Sequence, residues 1–239
     1  MNQPSHAIAA VDVGRVLVVA NDETSQQRTE HALREAGFVV ASVADEQLAL
    51  RSLGPEIDLI VVTDDSQLDA RGLCAAIRAR SRLPIVMLGT RSAEDDVVRA
   101  FDAGVDDYLP SPWSDRTLVA RVSAVLRRSD APARAVVAHG DTVLDVAARR
   151  LLHGNAALGL TLLETGVLRA LLARPGRVVT NGVLAAEAWG RSGPRERRAL
   201  KQTIYRLRQK LESEAPFEGR LQSLRGSGYR WCTDDLPAG

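Results

Sequence analysis

Five short apolar runs, at 16–19, 38–43, 59–63, 84–88 and 107–109, alternate through the first half of the chain with stretches of helical character at 26–36, 46–53, 72–80, 93–103 and 115–128. The runs are mostly apolar throughout instead of alternating with polar residues. Such strands must be covered on both faces, and strands joined through helices return in the same direction. The predicted architecture is therefore α/β, a five-stranded doubly wound parallel sheet of flavodoxin-like type, with Gly37 and Gly104 closing the first and fourth helices. In sheets of this type ligands bind outside the carboxyl ends of the strands.

The second half is built differently. The polar segment RRSDAPAR at 127–134 carries no periodicity across it, which makes 129–134 a linker between a domain at 14–128 and another at 135–232. From 135 to 160 short apolar pieces are broken by Gly140-Asp141 and Gly154-Asn155, predicting a small antiparallel sheet. Thr161 and Glu164 have the spacing of a capping box ahead of an apolar run to Leu172. Within that run Gly166 is expected to weaken the helix by about 1 kcal/mol relative to alanine. A second helix runs from Thr180 to Trp189, and residues 191–197 read as a loop.

The stretch RERRALKQTIYRLRQKL at 195–211 places Leu200, Ile204, Leu207 and Leu211 on one helical stripe, with Arg198, Gln202, Tyr205, Arg206 and Gln209 opposite and Lys201 and Arg208 on the flanks. Seven Lys/Arg between 195 and 210 meet only Glu196, whereas a merely solvated helix face intersperses acids with bases. A polyanion is the better partner. Beyond it LQSLRGSGYRW at 221–231 reads as two strands joined at Gly226-Ser227-Gly228, a β-hairpin with a basic tip at Arg225. A helix followed by a basic hairpin makes this half an α+β winged helix-turn-helix domain, and its expected partner is double-stranded DNA.

Charge supports that division. Residues 1–128 hold 14 Lys/Arg against 19 Asp/Glu, and residues 129–239 hold 17 against 11, so a nucleic-acid partner belongs to the second half. Cys74 and Cys232 are too far apart in sequence to make a metal motif, and the four histidines have no ligand spacing. No metal, cofactor or catalytic constellation is expected. Without a signal-like amino terminus or an apolar run long enough to span a bilayer, the expected location is the cytoplasm, with no membrane partner.

On its RGSGYRW wing, residues 135–232 resemble the effector domain of OmpR/PhoB-type response regulators. Residues 14–128, through Gly104-Val105-Asp106-Asp107-Tyr108-Leu109 followed by Ser111-Pro112-Trp113, resemble the receiver domain of the same family. A receiver uses a carboxylate pair for Mg²⁺, a phosphate-accepting Asp, a hydroxyl and a Lys. The matching positions here are Ala20 and Asn21, Thr63 or Asp64, Gly89 and Ser111. The resemblance thus implies an atypical receiver that acts without phosphorylation. A conventional regulator phosphorylated at Asp64, and a regulator sensing a small-molecule effector in the less polar cleft, are the alternatives.

For the second domain the resemblance implies that Lys201, Gln202, Tyr205 and Arg206 face bases. Trp189, Arg198, Thr203 and Arg208 would hold phosphates, and Arg225 would enter the minor groove. It further implies tandem or repeated half-sites, a homodimer formed through Asp102, Asp106, Asp107 and Arg121, and contact with RNA polymerase from the loop at 191–197.

Overall fold

The computed structural model describes residues 14–64, 68–90, 93–129 and 136–232. Its first domain is a parallel sheet of five strands, β1 (Arg15–Val19), β2 (Val39–Val43), β3 (Leu59–Thr63), β4 (Ile85–Gly89) and β5 (Asp107–Pro110), in the order β2-β1-β3-β4-β5. Strands β3 and β4 are buried at every residue, as uniformly apolar runs require. Helices α1 (Glu23–Glu35), α2 (Glu46–Arg51), α3 (Ala70–Arg80), α4 (Glu94–Asp102) and α5 (Asp115–Ser129) fill the crossovers. Helices α1 and α3 begin a few residues before the predicted starts. The reason is local: Asp22 accepts from the Ser25 amide at 2.7 Å and Asp69 from the Gly72 amide at 3.0 Å, so each carboxylate caps a first turn that apolar periodicity does not mark.

The second domain opens with a four-stranded antiparallel sheet, β6 (Val136–His139), β7 (Thr142–Asp145), β8 (Arg150–His153) and β9 (Ala156–Gly159). Three helices follow: α6 (Leu162–Leu172), α7 (Asn181–Trp189) and α8 (Pro194–Glu212). The hairpin β10 (Leu221–Leu224) and β11 (Gly228–Trp231) closes the domain. The capping box is present, with the Thr161 amide donating to Glu164 at 2.8 Å and the Glu164 amide to the Thr161 hydroxyl. The expected loop at 191–197 is shorter than the sequence indicates. Helix α8 starts at Pro194, whose fixed φ and missing N–H suit a first helical position, and Glu196 accepts from the Gly193 amide at 3.0 Å. The predicted linker falls almost wholly at 130–135, outside the described residues.

Packing gives Gly166 a second role beside its low helix propensity. Helices α6 and α7 cross so closely there that a Cβ would lie 2.8 Å from the Ala188 Cα and 3.3 Å from the Glu187 carbonyl oxygen. Only a hydrogen fits against that backbone, so the weak helix former is the condition of the crossing. Gly166→Ala therefore destabilises the domain by about 1 to 3 kcal/mol despite its gain in helix propensity. Urea unfolding checks this, and a stabilised variant would show that the crossing can widen freely.

Candidate nucleic-acid interface

Helix α8 buries Leu200, Ile204, Leu207 and Leu211 as its periodicity requires. Thr203, expected on phosphate, is fully buried on the same stripe and donates to the Ala199 carbonyl at 3.2 Å. Trp189, expected on phosphate as well, is 2% exposed and meets Phe101 of α4 edge-on, with ring centroids 6.0 Å apart. Neither side chain can reach a nucleic acid in this arrangement. Arg198, Lys201 and Tyr205 are exposed on α8 and Arg225 is exposed at the hairpin tip. Arg208 donates to the Ser223 hydroxyl at 2.9 Å and the Leu221 carbonyl at 3.3 Å, so it ties the hairpin to the helix. Gly228 presses on the turn before α7: a Cβ there would lie 2.1 Å from the Val179 carbonyl oxygen, and its φ of +145° is open to glycine. An ion pair between half-buried Lys210 and buried Glu164, at 2.6 Å, ties α8 to α6.

The remaining face of α8 lies against the first domain. Helices α4 and α8 pack together, Arg206 donates to the Asp102 carbonyl at 3.4 Å, and Gln202 and Arg206 are half-buried. Burial lowers the Arg206 guanidinium from its ordinary value, and its Nε is enclosed without an acceptor. Of the four expected base-facing side chains, Arg206 is thus held by the protein itself and Gln202 is half-buried beside it.

The expected dimer face is occupied at the same place within one chain. Asp107 is 1% exposed, and its carboxylate lies between Arg121 of its own domain at 3.3 Å and Arg191 of the second domain at 2.9 Å. Arg191 also pairs with Glu196 at 2.5 Å. Burial opposes the charge on both Arg191 and Glu196. Mutual pairing, Asp107 and nearby backbone hydrogen bonds outweigh it, so Arg191 is raised and Glu196 lowered from their ordinary values. Asp106 is likewise buried and holds Arg78 at 2.8 Å and the Ile85 amide at 2.9 Å, a role inside the fold. Asp102, Asp107 and Arg121 therefore belong to a face that the second domain of the same chain occupies.

At the carboxyl ends of the strands, Thr63, Asp64, Gly89 and Ser111 line a cleft of about 180 Å³. Ala20 is a buried methyl, and the Asp22 carboxylate caps α1. The Thr63 hydroxyl donates to the Val19 carbonyl at 3.3 Å. At Gly89 a Cβ would fall 1.7 Å from the Tyr108 Oη, so the ring, itself 1% exposed, stands where a side chain from that position would go. Arg28 of α1, which sequence spacing did not single out, also lines the cleft. It lies 4.0 Å over the Trp113 ring, donates to the Trp113 carbonyl at 2.7 Å and sits 3.7 Å from Asp115. Its amphipathic helix gives no hint of that position. Among the described residues no group of three or more His, Cys, Asp or Glu is arranged to hold a metal ion. The donor set does not fit Mg²⁺ held in the receiver manner, which needs an oxygen where Ala20 offers a methyl.

Comparison with known proteins agrees with both halves. Residues 16–123 match the response regulator receiver domain and residues 155–231 the C-terminal domain of transcriptional regulatory proteins. The chain is 33% identical over 219 residues to the DNA-binding response regulator MtrA of Mycobacterium tuberculosis, covering 90% of this chain and 96% of that one. It is 34% identical over 223 residues to the response regulator MprA of Mycolicibacterium vanbaalenii, with 90% and 96% covered. A solved structure of a RitR mutant superposes with a TM-score of 0.71 at 22% identity, over 91% of this chain and 98% of that one, a likeness of fold.

Arg191 ties the two domains together through Asp107. Because Arg191 is about one-third exposed, its loss costs less than a fully buried pair, about 1 to 2 kcal/mol. Arg191→Ala should broaden the distance distribution between spin labels placed one on each domain; an unchanged distribution would assign the docking to the apolar contact of α4 and α8 alone.

Proposed function

Since this chain belongs to the OmpR/PhoB-type response regulators, DNA-binding transcription factors with a receiver and a winged-helix effector domain, we propose that it regulates transcription through a receiver that works without phosphorylation. One observation carries the DNA-binding part: α8 buries an apolar stripe and carries Arg198, Lys201 and Tyr205 exposed, next to a hairpin with Arg225 at its tip. Such a helix enters the major groove, with the hairpin on the adjoining minor groove. Lys201, Gln202, Tyr205 and Arg206 are the proposed base-facing set. Arg198, Arg208 and Arg225 are proposed to contact the backbone and minor groove, and Trp189 and Thr203 are placed in support behind them. Arg206 of that set lies against the receiver, so its engagement with a base requires the two domains to part.

Independence from phosphorylation rests on the cleft. A phosphoaspartate needs a metal and a cation to offset its added charge, and here Ala20 and Ser111 stand at two of those places while Tyr108 fills the space beside Gly89. Parting the domains frees Asp102, Asp107 and Arg121, and two copies on repeated half-sites pair through that face. Contact with RNA polymerase is confined to the short turn before Pro194 and the first turn of α8. The proposed reading includes no catalysis.

Selection of bound sequences from a random pool tests the function directly, and recovery of no motif would sink it. On the recovered site Arg206→Ala should weaken binding by about 1 to 3 kcal/mol and leave random DNA little changed. Equal losses on both would make Arg206 a phosphate contact. Acetyl phosphate with Mg²⁺ should add no phosphoryl mass, and Asp64→Ala should keep operator affinity within about threefold. A stoichiometric adduct lost in Asp64→Ala, with tighter binding, would restore the phosphorylated reading.

A further inference from the structure

Between the last turn of α5 and the α6–α7 pair lies a crevice shared by both domains. Its inner part, of about 230 Å³, is lined by Arg127, Arg128, Arg149, Arg169, Gly166 and Glu187. A wider outer groove shares Arg127, Arg128, Arg169 and Glu187 with it. The one carboxylate is already committed, since Arg169 pairs with Glu187 at 2.8 Å. Among the described residues Arg127, Arg128 and Arg149 have no carboxylate partner within salt-bridge distance.

Arg128 is the most constrained of the three. Its Nε donates to the Ala124 carbonyl at 3.2 Å and its Nη1 to the Ala188 carbonyl across the domain boundary at 2.6 Å, while its Nη2 is buried with no acceptor. Arg149, in the turn between β7 and β8, reaches the other way and donates to the Arg82 carbonyl of the receiver at 3.0 Å. It does so from a left-handed backbone, with φ of +51°, a conformation uncommon for a long side chain. Burial lowers both guanidinium groups from their ordinary value. Buried cations are normally paired, and an enclosed donor without an acceptor is unfavourable.

We propose that this crevice binds a phosphate-bearing small molecule, a diphosphate or a nucleotide, whose oxygens accept from Arg127, Arg128 and Arg149. Three guanidinium groups favour a multiply charged ligand with several acceptor oxygens over a single carboxylate. The inner volume is roughly that of seven or eight waters, enough for more than one small oxyanion. Because Arg127 and Arg128 belong to the receiver and Arg149 to the effector domain, the ligand stabilises the docked arrangement in proportion to its concentration over its dissociation constant. It would thereby oppose DNA binding.

Titration calorimetry of the full chain with sodium pyrophosphate at constant ionic strength tests this without DNA, so its outcome is separate from that of operator selection. The expected result is saturable binding of one pyrophosphate per chain. Arg127→Gln, which removes no hydrogen bond seen in the fold, should weaken it about tenfold, as should Arg128→Gln; Arg150→Gln, an exposed neighbour outside the crevice, should leave it unchanged. No saturable heat would overturn the proposal. So would binding that is equal in the wild-type protein and Arg127→Gln, which would mark a general anion effect.

Discussion

The buried carboxylate of Asp107 is the interaction on which the arrangement of this molecule turns. A charge taken out of water is tolerable only when paired, and Arg121 alone leaves part of it exposed to that penalty. Arg191, contributed by the effector domain, completes the pairing and is itself held in place by Glu196 at the start of α8. A single chain of charges therefore runs from the receiver sheet through the turn after α7 to the first turn of α8. The apolar contact of Phe101 with Trp189 lies beside it and contributes area, while the charges fix how the two surfaces are aligned.

The same alignment places the receiver surface where it governs access to α8. The α4–β5–α5 surface is covered by the effector domain, so anything that changes the balance between docked and parted domains changes how much of α8 is free. In a phosphorylated receiver that balance is moved from the strand ends. At the strand ends here the Ala20 methyl, the Tyr108 ring and the Arg28–Trp113 stack lie about a small cleft, and the charged crevice at the far end of α5 lies at the domain boundary itself.

The fold was legible in the sequence where local periodicity and capping decide it. Uniformly apolar strands gave the parallel sheet, Thr161 and Glu164 gave the start of α6, and Leu200, Ile204, Leu207 and Leu211 gave the buried stripe of α8. Thr203 was legible too, three residues after Leu200 and four before Leu207, yet the phosphate contact that the resemblance implied for it masked that spacing. What sequence could not supply are facts about partners far along the chain. Asp107 and Arg191 are 84 positions apart, so nothing local marks them as a pair. Gly166 reads as a helix breaker until Ala188 is seen against it, and Arg206 reads as an outward base contact until Asp102 is seen behind it. A polar helix face announces that it is polar; which of two surfaces will cover it is a property of the assembled domains.

The packing of α4 on α8 also has a consequence for time. If DNA can engage only after the domains part, association is a two-step process, and raising the DNA concentration accelerates it only until domain opening becomes the slower step. Beyond that point the observed rate stops rising and reports the opening rate of the free protein. The protein then behaves as a timer on its own promoter occupancy: how soon a vacant site is refilled is set by the lifetime of the Asp107–Arg191 contact, whatever the number of copies waiting.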